Sequence, residues 1–263
     1  MKILIRGAGD IATGIALRLY RAGMQVVMTD LPAPTAIRRT VCFSQAIILG
    51  EMTVEDVTAR RAETSDQAEA LLAQGLIPVL ADPDCTCRTR LRPDALVDAI
   101  LAKRNLGTKI DDAPIVVGIG PGFTAGEDCH AVVETMRGHT LGRVIYRGSA
   151  LPNTNIPGLI GGYAGERVLR APADGVFQGV RSIGDRVEAG DTAGYVDGQP
   201  MVCTIGGVLR GLLPDGTAVK RGMKSGDVDP RCQLENCYTV SDKALAVGGG
   251  VLEALLGLTG ALR

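Results

Sequence analysis

The chain has 263 residues, enough for one large domain or for two smaller ones that each bury a core. Its 28 basic and 29 acidic side chains give a net charge of −1, and aromatic residues make up only 3% of the sequence. A balanced surface with so few base-stacking side chains argues against a nucleic-acid or anionic-lipid partner. We therefore predict neither a nucleic-acid partner nor a membrane partner.

The start of the chain and the cysteines indicate a compartment. The apolar stretch after Lys2 ends at Arg6, which is too short for a signal peptide, and no apolar run is long enough to span a bilayer. The seven cysteines are scattered, which is typical of free thiols rather than of a disulfide framework. We expect a cytoplasmic protein.

Strand-like and helix-like segments alternate from residue 1 to about residue 147, which predicts an α/β domain, Rossmann-like and with a mainly parallel sheet, over residues 1–165. The predicted strands are KILIRG, QVVMTD, LIPVLAD, PIVVGIG and RVIYRG. The predicted helices are IATGIALRLYRAG, SDQAEALLAQG, PDALVDAILAKRN and DCHAVVETMRG. The stretch CFSQAIILGEMTVEDV is ambiguous and is interpreted as a strand followed by a loop or short helix.

An internal repeat marks a second domain over residues 166–235. GVFQGVRSIGDRVEAG from Gly175 aligns without a gap with GVLRGLLPDGTAVKRG from Gly207. Two copies of one β unit predict a small all-β domain of two halves that close on each other. Residues 236–263 are expected to form a Ser-capped helix that packs back on the chain. Three consecutive glycines within this helix indicate close packing against another element or a break in the helix.

A first glycine loop, Gly7–Ala12, lies between the first strand and the first helix. Gly7, Gly9 and Ala12 have the G-x-G-x-x-(G/A) spacing of dinucleotide-binding loops, whose helix N-terminus binds phosphate. Asp30 follows the glycines by about 20 residues, where an acidic side chain accepts hydrogen bonds from a ribose. The loop therefore predicts nucleotide binding, and a purely structural loop is the alternative.

Two features depart from a plain NAD site. Asp10 places a negative charge in the predicted phosphate loop, and we include it among the candidate binding residues. Arg38 and Arg39 follow Asp30 closely enough to suit a phosphorylated ribose or another anion.

A second glycine loop, Gly118–Gly122, follows the PIVVGIG strand and carries glycines at 118, 120 and 122. We expect a helix after it and a second anion-binding loop. On that helix His130 and Glu134 would share a face, and Arg137 near its end would contact a phosphate or carboxylate. A histidine there would exchange protons or bind a metal, and we include His130 among the candidate binding residues. The alternative is that His130 pairs with Glu134 on a solvated face, while Arg137 and His139 stabilise the C-terminus of the helix.

The remaining residues identify no catalytic group. Cys85 and Cys87, with Cys129, would suit zinc, a thiol-exchanging pair or a soft ligand such as selenium. Their spacing is not a standard zinc pattern, so we expect no metal site. Common hydrolase, NTPase and metalloprotease motifs are absent from the sequence.

Several motifs in order resemble the YqeB-type accessory proteins of the selenium-dependent molybdenum hydroxylase system. They are IRGAGDIATGIALRL, VDAILAKRNLGT, GIGPGFTAGEDCHAVVETMRGHTLGRVIYRG, NTNIPG and VKRGMKSGDVDPR. The sequence departs from that pattern at Asn155, where the family has glycine, and in its cysteines at 85, 87 and 129. Asparagine also tolerates the left-handed backbone region.

The repeat also resembles the biotinyl/lipoyl barrel-sandwich hybrid. The turn that carries a modified lysine in such domains is YVDGQPM here and has no lysine, so a carrier function is not expected.

The family resemblance implies a maturation factor for molybdenum hydroxylases, with a molybdopterin dinucleotide as the candidate ligand and a hydroxylase as a partner. An NAD(P)-dependent oxidoreductase and a non-enzymatic scaffold that docks a partner through its β domain are the alternatives. The sequence leaves open whether a reaction is catalysed and whether the protein forms a homo-oligomer.

Overall fold

The structure is a computed structural model that describes residues 1–260. It comprises two compact units. The first contains residues 1–34, 42–153 and 240–260, and the second contains Thr35–Val41 and Thr154–Thr239. Residues 261–263, at the end of the predicted segment 236–263, lie outside the described residues.

A nine-stranded sheet forms the centre of the first unit. Its strands are β1 (Lys2–Arg6), β2 (Gln25–Asp30), β3 (Glu51–Val54), β4 (Val57–Ala62), β5 (Ile77–Ala81), β6 (Ala95–Asp98), β7 (Ile115–Ile119), β8 (Ala131–Val133) and β9 (Val144–Ile145). The order is β3-β4-β5-β2-β1-β6-β7-β8-β9, and only the edge pairs β3–β4 and β8–β9 are antiparallel. The predicted α/β fold with a mainly parallel sheet is confirmed.

Five α-helices accompany the sheet in the described residues, and three short 3-10 helices lie at Arg39–Val41, Gly165–Arg167 and Leu234–Cys237. The α-helices are α1 (Asp10–Arg21), α2 (Gln45–Leu49), α3 (Ser65–Ala73), α4 (Arg88–Leu91) and α5 (Asp242–Thr259). The predicted helix in the C-terminal segment is confirmed, and the Ser241 side chain caps it by accepting the Ala244 N–H.

Helix α5 runs through its glycines without a break and packs against α1. A Cβ on Gly14 of α1 would lie 2.5 Å from the Cβ of Ala244, and a Cβ on Gly248 would lie 3.0 Å from the Gly14 carbonyl oxygen. The glycines therefore allow the two helix backbones to approach closely.

Two helix predictions were wrong. PDALVDAILAKRN contains strand β6, which lies between β1 and β7, and DCHAVVETMRG contains strand β8. All residues of both strands are buried. A short strand that is buried on both faces has no polar–apolar alternation, so its hydrophobic pattern does not distinguish it from a buried helix.

The second unit contains two four-stranded sheets. The strands are β10 (Val168–Arg170), β11 (Gly175–Gly179), β12 (Arg186–Val187), β13 (Thr192–Val196), β14 (Gln199–Val202), β15 (Gly207–Leu212), β16 (Ala218–Val219) and β17 (Lys224–Asp229). The sheets have the orders β10-β17-β15-β12 and β14-β13-β11-β16.

The pairing in these sheets follows the internal repeat. Strands β11 and β12 belong to the first copy, and β15 and β16 belong to the second. Strand β11 pairs with β16, and β12 pairs with β15. Each copy therefore completes a sheet of the other, as expected for two halves that cannot bury their apolar faces alone.

Two local predictions in this unit are confirmed. Asp197 and Gly198 form the turn between β13 and β14 with φ values of 46° and 81°. Asn155 has a φ of 58°, within the left-handed region. Among residues 1–260, no helix has the length and apolarity needed to cross a membrane.

Candidate functional site

The site region of the first unit lies at the carboxyl ends of the parallel strands. The chain proceeds from β1 to one side of the sheet through β2 and β5, and then to the other side through β6 and β7. The order therefore reverses between β1 and β6. In open α/β sheets, ligands bind at such a reversal point, outside the carboxyl ends of the strands.

The first glycine loop follows β1 at this point. Gly7 has a φ of +106°, and a Cβ there would lie 2.9 Å from the Ala99 carbonyl oxygen, so Gly7 is needed where the loop after β1 touches the end of β6. Gly9 differs, because a Cβ on Gly9 would meet no atom within 4 Å. Ala12 is fully buried on α1. The loop thus combines one tightly packed glycine with one that faces open space.

Gly9 is also the N-cap residue of α1, and no side chain caps this helix. The first turn of a helix has N–H groups without partners inside the helix, and its dipole favours negative charge. Open space at Gly9, the N–H donors of the first helical turn and a positive helix end therefore coincide, as a phosphate group requires.

Asp30 binds the loop itself. Its Oδ2 accepts the Ala8 N–H at 2.8 Å, and its Oδ1 accepts the Leu31 N–H at 2.7 Å. Burial raises the pKa of Asp30, although the two hydrogen bonds oppose the shift. The carboxylate orders the glycine loop, and each oxygen retains a lone pair for a ligand hydroxyl.

Lys243 and Lys103 are positive side chains that the sequence did not indicate, and the charge of the predicted contact Arg137 acts on Lys243 as well. Burial lowers the pKa of Lys243, the first-turn lysine of α5, and the charges of Arg137 and Lys103 lower it further. The carboxylates of Asp10 and Glu134 act on Lys243 in the opposite direction. Lys243 is therefore within electrostatic range of Asp10, the first residue of α1, and Lys103 and Arg137 are within electrostatic range of Lys243.

The acidic side chains of this region bind mainly to other groups of the protein. Glu134 is 2% exposed and accepts N–H groups from Thr135, Met136 and Leu151. Arg137 makes a two-bond ion pair with Asp242 at 2.7 and 2.8 Å. No sequence pattern could have brought Lys243 to Asp10, because the two residues are far apart in the chain.

The second glycine loop is packed against the protein at each of its glycines. A Cβ on Gly118 would lie 2.5 Å from the Phe123 ring, one on Gly120 would lie 2.7 Å from the Thr135 hydroxyl, and one on Gly122 would lie 2.5 Å from the Arg104 Cα. Strand β8 rather than a helix follows the loop. The expected helix N-terminus for an anion is therefore absent there.

The two histidines do not join this region. The His130 Nδ1 accepts the Val116 N–H at 3.0 Å, and the His130 backbone N–H is donated to the Val116 carbonyl. His130 thus lies at the amino end of β8, the opposite end of the sheet from the second glycine loop and Arg137. The expected shared helix face of His130 and Glu134 was wrong, and His139 is exposed.

Arg38 and Arg39 belong to the second unit and bind its backbone. The Arg38 guanidinium donates to the carbonyls of Asn236 and Thr239, and Arg39 Nε donates to the Leu212 carbonyl at 2.8 Å. These contacts give both side chains a structural role in that unit.

A polar network missed by the sequence analysis fills the space between the ends of β1 and β6. Arg6 is 8% exposed and donates to the carbonyls of Pro83 and Leu106 and to the Thr108 hydroxyl. Thr108 in turn donates to Asp98 Oδ2 at 2.6 Å, and Arg6 lies 3.4 Å from the same oxygen. The network fixes the loop that follows β6 against β1.

All seven cysteines are free. Cys129 is fully buried, and burial raises its pKa to about 11. Within residues 1–260 no group of three or more His, Cys, Asp or Glu side chains is placed to hold a metal ion.

Comparison with known proteins shows a strong similarity over nearly the whole chain. The chain is 54% identical over 254 residues to a protein of Escherichia coli (strain K12) named "Uncharacterized protein YqeB", an alignment that covers 97% of this chain and 47% of that protein. The chain thus spans about half the length of the curated relative it matches. This similarity supports the resemblance to the YqeB-type proteins.

Two further comparisons add no functional information. No family model matches the chain. A crystal structure of succinylglutamatedesuccinylase/aspartoacylase from Rhodobacter sphaeroides is similar over 24% of this chain and 22% of that chain, with 25% identity and a TM-score of 0.21. A similarity of this extent carries no argument about fold or function.

Proposed function

We propose that the chain binds a phosphate-bearing, nucleotide-containing ligand at the N-terminus of α1 and acts as an accessory protein in the maturation of molybdenum hydroxylases. The observation that carries the binding part is the uncapped start of α1, where Gly9 faces open space. The maturation part rests on the motifs that resemble the YqeB-type proteins.

The ligand phosphate would be held by the first N–H groups of α1 and by the ammonium of Lys243. Lys103 and Arg137 add positive charge, which offsets the repulsion from the Asp10 carboxylate. Asp30 would accept a ribose hydroxyl while it keeps the Ala8 N–H. We place the ligand at the first glycine loop alone, because the glycines of the second loop contact protein atoms.

At the fold level, we interpret the first unit as Rossmann-like and the second as a barrel-sandwich hybrid. The first interpretation is supported by the parallel strands around the reversal at β1 and β6 and by the strand–loop–helix arrangement at Gly7–Ala12. The second is supported by the reciprocal pairing of the two repeat copies. A candidate molybdopterin dinucleotide fits this proposal through its phosphates.

The first experiment is native mass spectrometry of the chain purified from cells supplied with molybdate and selenite, with comparison of native and denatured masses. A released pterin dinucleotide supports the proposal. A released nicotinamide dinucleotide favours an NAD(P)-dependent oxidoreductase. A mass equal to the bare chain, also after incubation with candidate nucleotides, favours a scaffold.

Variants locate the binding. Gly9→Asp puts bulk and negative charge where the phosphate must approach, so we expect it to abolish ligand retention. The matched control is Gly165→Asp in the second unit, because Gly165 also faces open space and has no positive φ. Equal retention in both variants would overturn the placement of the ligand at α1.

The maturation role has a separate test. The chain should co-purify with a molybdenum hydroxylase expressed in the same cells, and Gly9→Asp should lower the activity of that hydroxylase. An unchanged hydroxylase activity in cells with Gly9→Asp or without the chain would contradict the maturation role, whatever ligand the chain binds.

A further inference from the structure

Two cysteines of the first unit lie together beside a small cavity at the carboxyl edge of the sheet. Cys85 and Cys87 are on the segment between β5 and α4. The two residues are separated by Thr86 alone, and both side chains belong to the same buried cluster. The Thr29 hydroxyl donates a hydrogen bond to Cys85 Sγ at 3.8 Å. A hydrogen bond that the sulfur accepts favours its thiolate form.

The backbone holds the two thiols in this arrangement. Asp82 Oδ2 accepts the Cys87 N–H at 2.8 Å, its Oδ1 accepts the Thr86 hydroxyl at 3.0 Å, and its carbonyl accepts the Cys85 N–H. Cys85 has a φ of 57°, a conformation that residues other than glycine rarely adopt. Such conformations cost about 1–3 kcal/mol and are concentrated at functional sites.

The cavity gives a small reactant access to Cys85. It has a volume of 140 Å³ and is lined by Cys85 together with Arg6, Arg88 and Thr108. A volume of this size holds a few water-sized molecules and is well below that of drug-sized ligand pockets. Cys87 does not line it, so the two thiols differ in access.

The charges around the pair distinguish the two sulfurs. The neighbouring Cys87 thiol lowers the pKa of Cys85, and the Thr29 hydroxyl and the charge of Arg6 act in the same direction against burial and the charge of Asp82. The neighbouring Cys85 and burial raise the pKa of Cys87. Because Cys85 lines the cavity and Cys87 does not, Cys85 is the sulfur that a small reactant meets first.

We propose that Cys85 and Cys87 form a redox-active pair in which a small hydroperoxide oxidises Cys85 and Cys87 then closes an intramolecular disulfide. This inference is independent of the nucleotide-binding proposal.

The reaction balances with hydrogen peroxide as the oxidant. A lone pair of the Cys85 thiolate attacks one peroxide oxygen, the O–O bond breaks, and the hydroxide that leaves is protonated to water. The product at Cys85 is a sulfenic acid. Cys87, after losing its proton, attacks that sulfur, the S–S bond forms, the S–O bond breaks and a second water leaves. The two thiols together lose two electrons, which reduce the peroxide.

The test uses the full chain with the exposed Cys232 changed to Ser, so that a surface thiol does not dominate the reactions. The reduced protein is treated with hydrogen peroxide and analysed by intact mass and peptide mapping. We expect a loss of two hydrogens that maps to a Cys85–Cys87 disulfide and is reversed by dithiothreitol. In Cys87→Ser, a dimedone adduct should accumulate on Cys85.

Cys129→Ser is the matched control, because Cys129 lies in the same buried cluster and has a raised pKa. This variant should form the disulfide as the parent does, and Cys85→Ser should not. In the parent, a small alkylating reagent should label Cys85 at least about ten-fold faster than Cys129, because the thiolate is the reactive form.

Two results would overturn the proposal. One is labelling of Cys85 no faster than that of Cys129 in the folded parent, a measurement that needs no cysteine variant of the pair. The other is a peroxide treatment after which Cys85 and Cys87 are still thiols, or after which oxidised products form without the Cys85–Cys87 disulfide.

Discussion

The two glycine loops of the first unit have similar sequences and different structures. Both follow a parallel strand of one sheet, β1 or β7, at its carboxyl end. In the first loop Gly9 faces open space before a helix, whereas in the second loop all three glycines contact protein atoms. Glycine spacing alone therefore does not separate a loop that leaves room for a ligand from a loop that lets two parts of the chain pack closely.

The largest effect that we expect from the difference between the two loops is the effect of an alanine substitution on stability. Gly122→Ala should lower the free energy of unfolding by about 3 kcal/mol or more, because the new Cβ meets the Arg104 backbone and the residue has a φ of +110°. Gly9→Ala should change it by less than about 1 kcal/mol, because its side chain enters open space. Urea denaturation of both variants measures the difference, and similar values would remove the distinction between the loops.

A second prediction tests the positive charge beside the first loop. Lys243→Ala should weaken the binding of inorganic pyrophosphate by about ten-fold or more, since a charge-assisted hydrogen bond contributes about 1.5–3 kcal/mol. Lys243→Arg should retain most of the affinity because it keeps the charge. Isothermal titration calorimetry gives both values, and an unchanged affinity in Lys243→Ala would exclude Lys243 from the site.

The pH dependence of binding sharpens this assignment. Because the pKa of Lys243 is lowered, its ammonium loses its proton at a lower pH than ordinary lysines do. The pyrophosphate affinity of the wild type should therefore fall as the pH rises through that lowered pKa, with uptake of a proton on binding. In Lys243→Arg the affinity should not change over the same pH range. An equal fall in both proteins would show that a group other than Lys243 causes the pH dependence.

The stability of the unliganded chain should respond in the opposite sense. Between the lowered pKa and the ordinary lysine pKa, the unfolded state holds a proton at Lys243 that the folded state lacks, so the contribution of this group to stability rises with pH.

The smallest effect is expected at Asp30. Asp30→Asn removes the cost of burying a charge and also removes one of two acceptors, so stability at neutral pH should change by about 1 kcal/mol or less. Since burial raises the pKa of Asp30, the wild type should lose stability relative to the variant as the pH rises from about 3 to about 7. Thermal unfolding at the two pH values checks the sign, and a loss in the opposite direction would contradict the raised pKa.

The sequence predicted the parts of the fold that have long or repeated patterns. Strands β1, β2, β5 and β7, helices α1 and α3 and the paired β repeat all followed from local sequence. Strands β6 and β8 did not, because three or four buried residues between glycine-rich and proline-containing segments have no period of their own.

The site was predictable only where it is local. The first glycine loop and Asp30 are set by one strand–loop–helix unit, and they do contact each other through Ala8. Lys243 reaches the start of α1 only because α5 packs on α1, and Cys85 meets Thr29 only because β5 lies beside β2. Such contacts depend on the tertiary fold, which a single sequence without its structure does not give.

The packing of α5 against α1 has a consequence for biosynthesis. The helix that covers Gly14 follows the whole stretch Thr154–Thr239, which belongs to the other unit. On a ribosome that adds ~5–20 residues per second, α1 waits on the order of ten to forty seconds for its partner to be made. During that interval its glycine-lined surface is uncovered, so nascent chains that stop before Asp242 are the forms for which we expect chaperone binding or degradation.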